Sequence, residues 1–158
     1  MQEIYEWFRW LNEATGINLT IVYDSYDRER MIDGFVNTIY LSLVCLVFSV
    51  VIGIVGAWLQ ASPLKWTRRL VNGYIQLFRN TPPLVQMYFF FFALGSLMPR
   101  VENEWGIMEP ILTNWHWAIL SLSFFAGSFN VEIFRSGIEA VPKATVEAAE
   151  ALGYNRLQ

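Results

Sequence analysis

The sequence predicts an all-α membrane protein with three transmembrane helices, an amino-terminal interfacial helix and a short cytoplasmic helix near residue 145. Three observations lead there. The chain of 158 residues is 54% hydrophobic and 16% aromatic, a high apolar share for a soluble domain of that size. Three stretches are free of charge over enough length to cross a hydrocarbon core of about 30 Å, which takes roughly 20 residues of helix. Lys and Arg are spread unevenly among the loops between them.

The amino-terminal segment, residues 1–33, reads MQEIYEWFRWLNEATGINLTIVYDSYDRERMID. Ile4, Trp7, Phe8 and Leu11 recur at i, i+3, i+4 and i+7, while Glu3, Glu6, Arg9 and Glu13 fall largely elsewhere around the helix, an amphipathic pattern. It fits a helix lying on the outer leaflet, as a surface anchor or as a lid. The segment lacks the basic start and apolar core of a signal peptide and is expected to stay on the mature protein.

Span one runs from Gly34 to Leu64, with TIYLSLVCLVFSVVIGIVGAWL at its heart. Ser49, Gly53 and Ala57 form a small-xxx-small face, which lets a second helix approach closely where lipid provides no hydrophobic drive to pack. The single cysteine, Cys45, lies in this run; it excludes an intrachain disulfide and reads as packing. After span one, KWTRRLVNGYIQLFRNTPPLVQ is basic and mildly amphipathic, with Pro82 and Pro83 where span two begins. Proline fixes φ and lacks an N–H, which the first turn of a helix tolerates. An elbow along the membrane surface followed by a turn into the bilayer is expected.

Span two lies between Arg79 and Arg100, and span three between Glu109 and Glu132. In span three Ser123, Gly127 and Asn130 share one stripe; the stripe suits a solute path or a hydrogen-bonded helix contact. Glu132 stands near the end of that span. A carboxylate at such a depth is a functional candidate, and reaching water or pairing with Arg135 are the alternatives. Trp115, His116 and Trp117 read as an aromatic belt, and His116 has no Cys, His or Asp cluster to join as a metal ligand.

Orientation follows from Lys and Arg in the short loops. The first loop carries Lys65, Arg68, Arg69 and Arg79, the second only Arg100, and the segment after span three Arg135, Lys143 and Arg156. The first and last are therefore cytoplasmic and the second external, which puts the amino terminus outside. Arg9, Arg28 and Arg30 in the amino-terminal segment run against this majority. The net charge of −3 is small, and no basic cluster is interleaved with aromatics, so no nucleic-acid partner is expected.

The last passage, EIFRSGIEAVPKATVEAAEALGYNRLQ, is Ala-rich and charged. Alanine favours helix, Pro142 suits its start and Gly153 its end, so a short rigid peg is expected on the cytoplasmic side.

Two motifs give the chain a resemblance. FRNTPPLVQMYFF, Phe78 to Phe90, looks like the Arg-x-Thr-Pro…Gln stretch that opens the second core helix of bacterial ABC importer permeases of the polar amino-acid branch, with Arg79, Thr81, Pro82 and Gln86 in the motif positions and Asn80 where Gly is frequent. GIEAVPKATVEAAEALG, Gly137 to Gly153, is similar to their cytoplasmic EAA loop, with Glu147, Ala148, Ala149 and Gly153 in place and Lys143-Ala144-Thr145 where Lys-Gly-Gln is common. The resemblance covers residues 34–158 and implies a partial ABC importer transmembrane domain, with the coupling loop at about 137–158. It implies a multi-pass protein of the bacterial inner membrane with a periplasmic amino terminus. Its partners would be ABC ATPase subunits, a second permease subunit (identical or paralogous) and a periplasmic amino-acid-binding protein. Permeases of this branch continue with two further spans, so a fragment or a short natural product is expected.

In such a system the peg seats in a groove of the ATPase and passes on its closure. No GxxxxGK[ST] loop is present, so ATP and Mg belong on the partner and no cofactor on this chain. No catalytic residues and no metal site are expected; Asn130 and Glu132 are the candidates for lining the path. A non-transporting membrane adaptor or anchor is the alternative. A membrane-embedded enzyme lacks support, since the spans hold no paired carboxylates, metal-ligand cluster or Ser/His arrangement.

Overall fold

The computed structural model describes residues 2–155. Arg156, counted above among the cytoplasmic basic residues, lies outside them. The chain divides into two compact units, Met1–Leu43 and Val44–Gln158.

In the first unit, α1 (Gln2–Thr15) and α2 (Thr20–Tyr23) precede the start of a long helix, α3 (Ser25–Gln60). Gly16, at φ +72°, ends α1 and donates its N–H to the Asn12 carbonyl at 2.9 Å, a left-handed stop that glycine makes without steric cost. The apolar stripe expected on α1 is divided: Phe8 and Leu11 are half-buried, whereas Ile4 and Trp7, joined by Trp10, stay exposed. Arg9 covers the Tyr23 ring at 5.3 Å. Arg28 donates to the carbonyls of Val22 (3.1 Å) and Ile21 (3.5 Å), satisfying the C-terminal end of α2. This basic residue, which runs against the charge bias, therefore serves a local cap.

α3 does not begin at Gly34, where the apolar run begins. It starts nine residues earlier, because Asp24 Oδ1 accepts the Tyr26 N–H at 2.9 Å and caps it, as an N-terminal carboxylate does. Hydropathy marks where the chain becomes apolar, and the cap marks where it becomes helical. At 36 residues the helix is about 54 Å long.

The second unit is built around α7 (Asn114–Glu139). The carboxyl-terminal half of α3 meets it through small residues: Ser49, Gly53, Gly56 and Ala57 are buried. A Cβ on Gly56 would lie 2.3 Å from Val131 Cγ2, one on Gly53 2.5 Å from Asn130 Cβ, and one on Gly127 2.6 Å from Ile52 Cγ2. The expected small-xxx-small face is thus the α3–α7 contact, with Gly56 as a fourth member.

α4 (Lys65–Arg79) follows a short turn. Its buried face carries Val71 and Ile75, which pack with Val131 and against Leu59 and Tyr74. Lys65, Arg68, Arg69, Asn72, Gln76 and Arg79 form an adjacent, exposed polar stripe, as the helical period allows. Gln60 ties the end of α3 to α4 by donating to Asn72 Oδ1 at 2.8 Å.

Span two is the element that departs most from expectation. It is a composite of α5 (Pro83–Tyr88), a π-helical stretch over Phe89–Leu94, and α6 (Gly95–Leu97). Pro83–Leu97 is 15 residues long, about 22 Å, short of a hydrocarbon core. Only α3 and α7 are long and apolar enough to cross a membrane among the described residues. The wide π turn directs Phe90 inward, to Trp117 (ring centroids 6.4 Å apart), Phe124 and Phe78, while Phe89 and Phe92 stay exposed. A hairpin of β1 (Arg100–Glu102) and β2 (Met108–Pro110) then leads to α7. Thr113 and His116 cap that helix: His116 Nδ1 accepts the Thr113 N–H at 3.1 Å. The histidine of the aromatic belt is a capping residue.

Candidate functional site: the elbow and the terminal helix

Two sites carry the sequence motifs. The first is the turn between α4 and α5. Arg79 is the last residue of α4, Thr81 donates its hydroxyl to the Leu77 carbonyl at 2.7 Å, and Pro82 precedes the first residue of α5. Gln86 turns back from α5, is buried, and donates Nε2 to the carbonyls of Phe78 and Thr81, both at 2.7 Å. One carbonyl from the last turn of α4 and one from the turn that follows are thereby satisfied by one side chain. Gln86 Oε1 is buried and unpaired. The motif spacing, Arg79 to Gln86, is the length this clasp needs.

Arg79 reaches outward from the clasp to Glu132 on α7, pairing through Nη1 and Oε2. The guanidinium also covers the Phe129 ring at 5.1 Å. Both charged side chains are about four-tenths exposed (38% and 42%), and Ile75, Gln76, Arg79, Asn80 and Phe129 line a recess of about 280 Å³ beside them. The Arg135 alternative for Glu132 is not what forms: Arg135 donates to Glu139 Oε1 at 2.8 Å, one turn on, an i,i+4 pair. α4 supplies Glu132 with a cation from 53 residues away, which helix periodicity could not show.

The stripe of Ser123, Gly127 and Asn130 is a helix contact here. Ser123 and Gly127 are buried, and Asn130 Nδ2 donates to Ser49 Oγ on α3 at 3.1 Å. Tyr74 on α4 donates its hydroxyl to the Phe124 carbonyl at 2.5 Å.

The second site is α8 (Lys143–Ala151). Pro142 stands at its N-cap, and a Schellman arrangement closes it: Gly153 at φ +86° donates to Glu150 O (3.0 Å) and Tyr154 to Ala149 O (3.1 Å). This is the left-handed stop for which glycine is suited. Start and end agree with the expected peg. No residue of α8 is buried; Glu147 and Ala148 are exposed and Ala149 half-buried. Val141, Val146, Leu152 and Tyr154 add exposed apolar surface around it. Those four went unnoticed in the sequence because each is isolated among polar or small residues.

Three comparisons bear on these sites. Residues 49–158 match the family model of the binding-protein-dependent transport system inner membrane component. The histidine/lysine/arginine/ornithine transport system permease protein HisQ of Salmonella typhimurium is 34% identical over 128 residues, covering 81% of this chain and 56% of that protein. The arginine ABC transporter permease protein ArtM of Haemophilus influenzae is 29% identical, with the same coverage of 81% and 56%. A crystal structure of an amino acid ABC transporter with histidines superposes with a TM-score of 0.69 at 23% identity, covering 89% of this chain and 61% of the other; it shares the fold. The chain spans about half the length of the curated relatives it matches. With the Arg79–Gln86 clasp and the α8 peg placed in one helical unit, and a matching family model over more than half of its length, the chain belongs to the binding-protein-dependent transport system inner membrane component family.

Proposed function

We propose that this chain is a membrane-spanning permease subunit of a bacterial ABC importer for polar amino acids, which moves solute inward by alternating access driven by ATP hydrolysis on a separate subunit. The single observation that carries the reading is α8: a short helix, closed at its end by Gly153, that buries no residue of its own. A capped helix with exposed Val146, Leu152 and Tyr154 beside Glu147 has the form of one half of an interface. Glu147, Ala148, Ala149 and Gly153 seat the ATPase, with ATP and Mg held there and no catalysis on this chain.

Residues 1–33 form the periplasmic, interfacial segment and 34–158 the permease domain, with the coupling loop at about 137–158. Three crossings are α3, Pro83–Leu97 and α7, with α4 as the cytoplasmic elbow that leads into the second. Of the two path candidates on α7, Glu132 lines the path with Arg79, and Asn130 holds α3 through Ser49. A second permease subunit, identical or paralogous, completes the pathway, and a periplasmic amino-acid-binding protein delivers solute.

The reading of the relatives' names supplies the solute class: they transport histidine, lysine, arginine and ornithine, or arginine. Isolation of the chain from its native membrane with an ABC ATPase bound is the test. Retention of the ATPase by the wild type is the expected result; a chain that carries no ATPase is the non-transporting adaptor.

A further inference from the structure

The ion pair between α4 and α7 leaves hydrogen-bonding capacity unused. Arg79 and Glu132 meet through Nη1 and Oε2; among the described residues, Arg79 Nε and Nη2 and Glu132 Oε1 take no hydrogen-bond partner. Both side chains are about four-tenths exposed, so a solute can reach the pair. The Phe129 ring, 5.1 Å from the guanidinium carbon, backs the cation with an apolar face.

Arg79 also lines the recess of about 280 Å³, with Ile75, Gln76, Asn80 and Phe129. That volume is just under the roughly 300–1,000 Å³ of sites for drug-sized ligands and suits a small solute. On its wall Asn80 Nδ2 donates to Gln76 Oε1 at 3.0 Å, which leaves Gln76 Nε2 as a spare donor and Asn80 Oδ1 as a spare acceptor.

Charge decides the class of ligand. A lone anion on Arg79 competes with Glu132, and a lone cation on Glu132 competes with Arg79. A zwitterion displaces neither: its carboxylate takes the free edge of the guanidinium, its ammonium takes Glu132 Oε1, and four alternating charges close a ring of charge-assisted bonds. Glu132 lies about 27 Å from Asn114 along α7, near the far boundary of a hydrocarbon core about 30 Å thick.

We propose that Arg79 and Glu132 form a binding site for the α-carboxylate and α-ammonium of a free amino acid at the cytoplasmic mouth of the path, and that Gln76 and Asn80 read its side chain. The inference rests on the importer reading above for the choice of solute and for the side of the membrane. Every α-amino acid offers the same two charges, so the ion pair selects the class, and the two amides favour a polar side chain within it. Asn80 stands where the motif commonly has glycine, which would offer no such group.

The test is equilibrium binding of labelled L-arginine to the importer in lipid nanodiscs, without ATP or binding protein, against L-arginine methyl ester and N-acetyl-L-arginine as competitors. The wild type binds L-arginine, and neither competitor displaces it well. Arg79→Gln and Glu132→Gln each raise the dissociation constant about tenfold or more, the effect of losing a hydrogen bond to a charged group. A merely structural role would not change the order of the competitors: in Arg79→Gln the methyl ester competes as well as L-arginine, and in Glu132→Gln the N-acetyl form does. Asn80→Gly weakens L-arginine and leaves the affinity for L-alanine as it was. Binding that neither charge variant weakens, or a wild type that either competitor empties as readily as L-arginine does, overturns the proposal. ATP-dependent uptake by the same wild-type complex with its binding protein tests the importer reading separately; its absence with binding intact removes that reading and upholds the site.

Discussion

Arg79, the last residue of α4, pairs with Glu132 on α7, so the elbow clasp and the helix that leads into α8 are joined by charge as well as by packing. Exposed ion pairs contribute about 0–1 kcal/mol, and these two side chains are about four-tenths exposed. The pair is therefore expected to matter for geometry more than for stability. A double-mutant cycle with Arg79→Ala and Glu132→Ala should give a coupling below about 1 kcal/mol in thermal unfolding and a much larger fractional loss of uptake. The exchange of both charges, Arg79→Glu with Glu132→Arg, should restore part of the uptake.

Glycine at 56 has a steric reason that glycine at 73 lacks. Gly56→Ala places a methyl 2.3 Å from Val131 Cγ2, whereas a Cβ at Gly73 meets nothing within 4 Å. The first substitution should lower stability by about 1–3 kcal/mol, the cost of overpacking. Gly73→Ala should leave it unchanged or raise it by up to about 1 kcal/mol through helix propensity. Denaturation in one detergent, with both variants side by side, reads the contrast.

Gln86→Leu removes the donor shared by the Phe78 and Thr81 carbonyls. Buried acceptors left unpaired cost about 1–3 kcal/mol, and the turn between α4 and α5 should open to proteases. Gln86→Glu should do worse, since a carboxylate places negative charge where two carbonyl oxygens require a donor. Limited proteolysis across Asn80–Pro83 checks both.

Periodicity and local signals such as Pro142 and Gly153 showed the helical class, the ends of α8, and the small face of α3, because each depends on neighbours a few residues away. Gly153 ends α8 for the reason that Gly16 ends α1: both take positive φ. Three features were hidden. The start of α3 depends on Asp24, which carries no hydropathy signal. The π turn among Phe89–Leu94 was hidden too, because an unbroken apolar run reads as one α-helix. The partner of Glu132 comes from another element, and a single helix offers only residues three or four positions away. At the candidate sites the motif residues were legible and their geometry was not: the spacing of Arg79 and Gln86 says nothing of which carbonyls Gln86 holds.

Tyr74→Phe tests how α4 is held against α7. It removes the hydroxyl that donates to the Phe124 carbonyl and leaves the tilted contact with Phe78 and the edge-on contact with Phe124 in place. A loss of about 1 kcal/mol is expected, read as a lower unfolding midpoint with unchanged cooperativity.

Coupling of transport to ATP hydrolysis is the central claim, and it is measured most directly in proteoliposomes holding the complete importer, with ATP and Mg on the ATPase side and a labelled polar amino acid with its binding protein on the other. Uptake and phosphate release are followed together. Accumulation that requires ATP, and that Glu147→Lys on α8 abolishes while phosphate release persists, is the predicted result. Accumulation that proceeds without ATP, or that Glu147→Lys leaves at the wild-type rate, would contradict it.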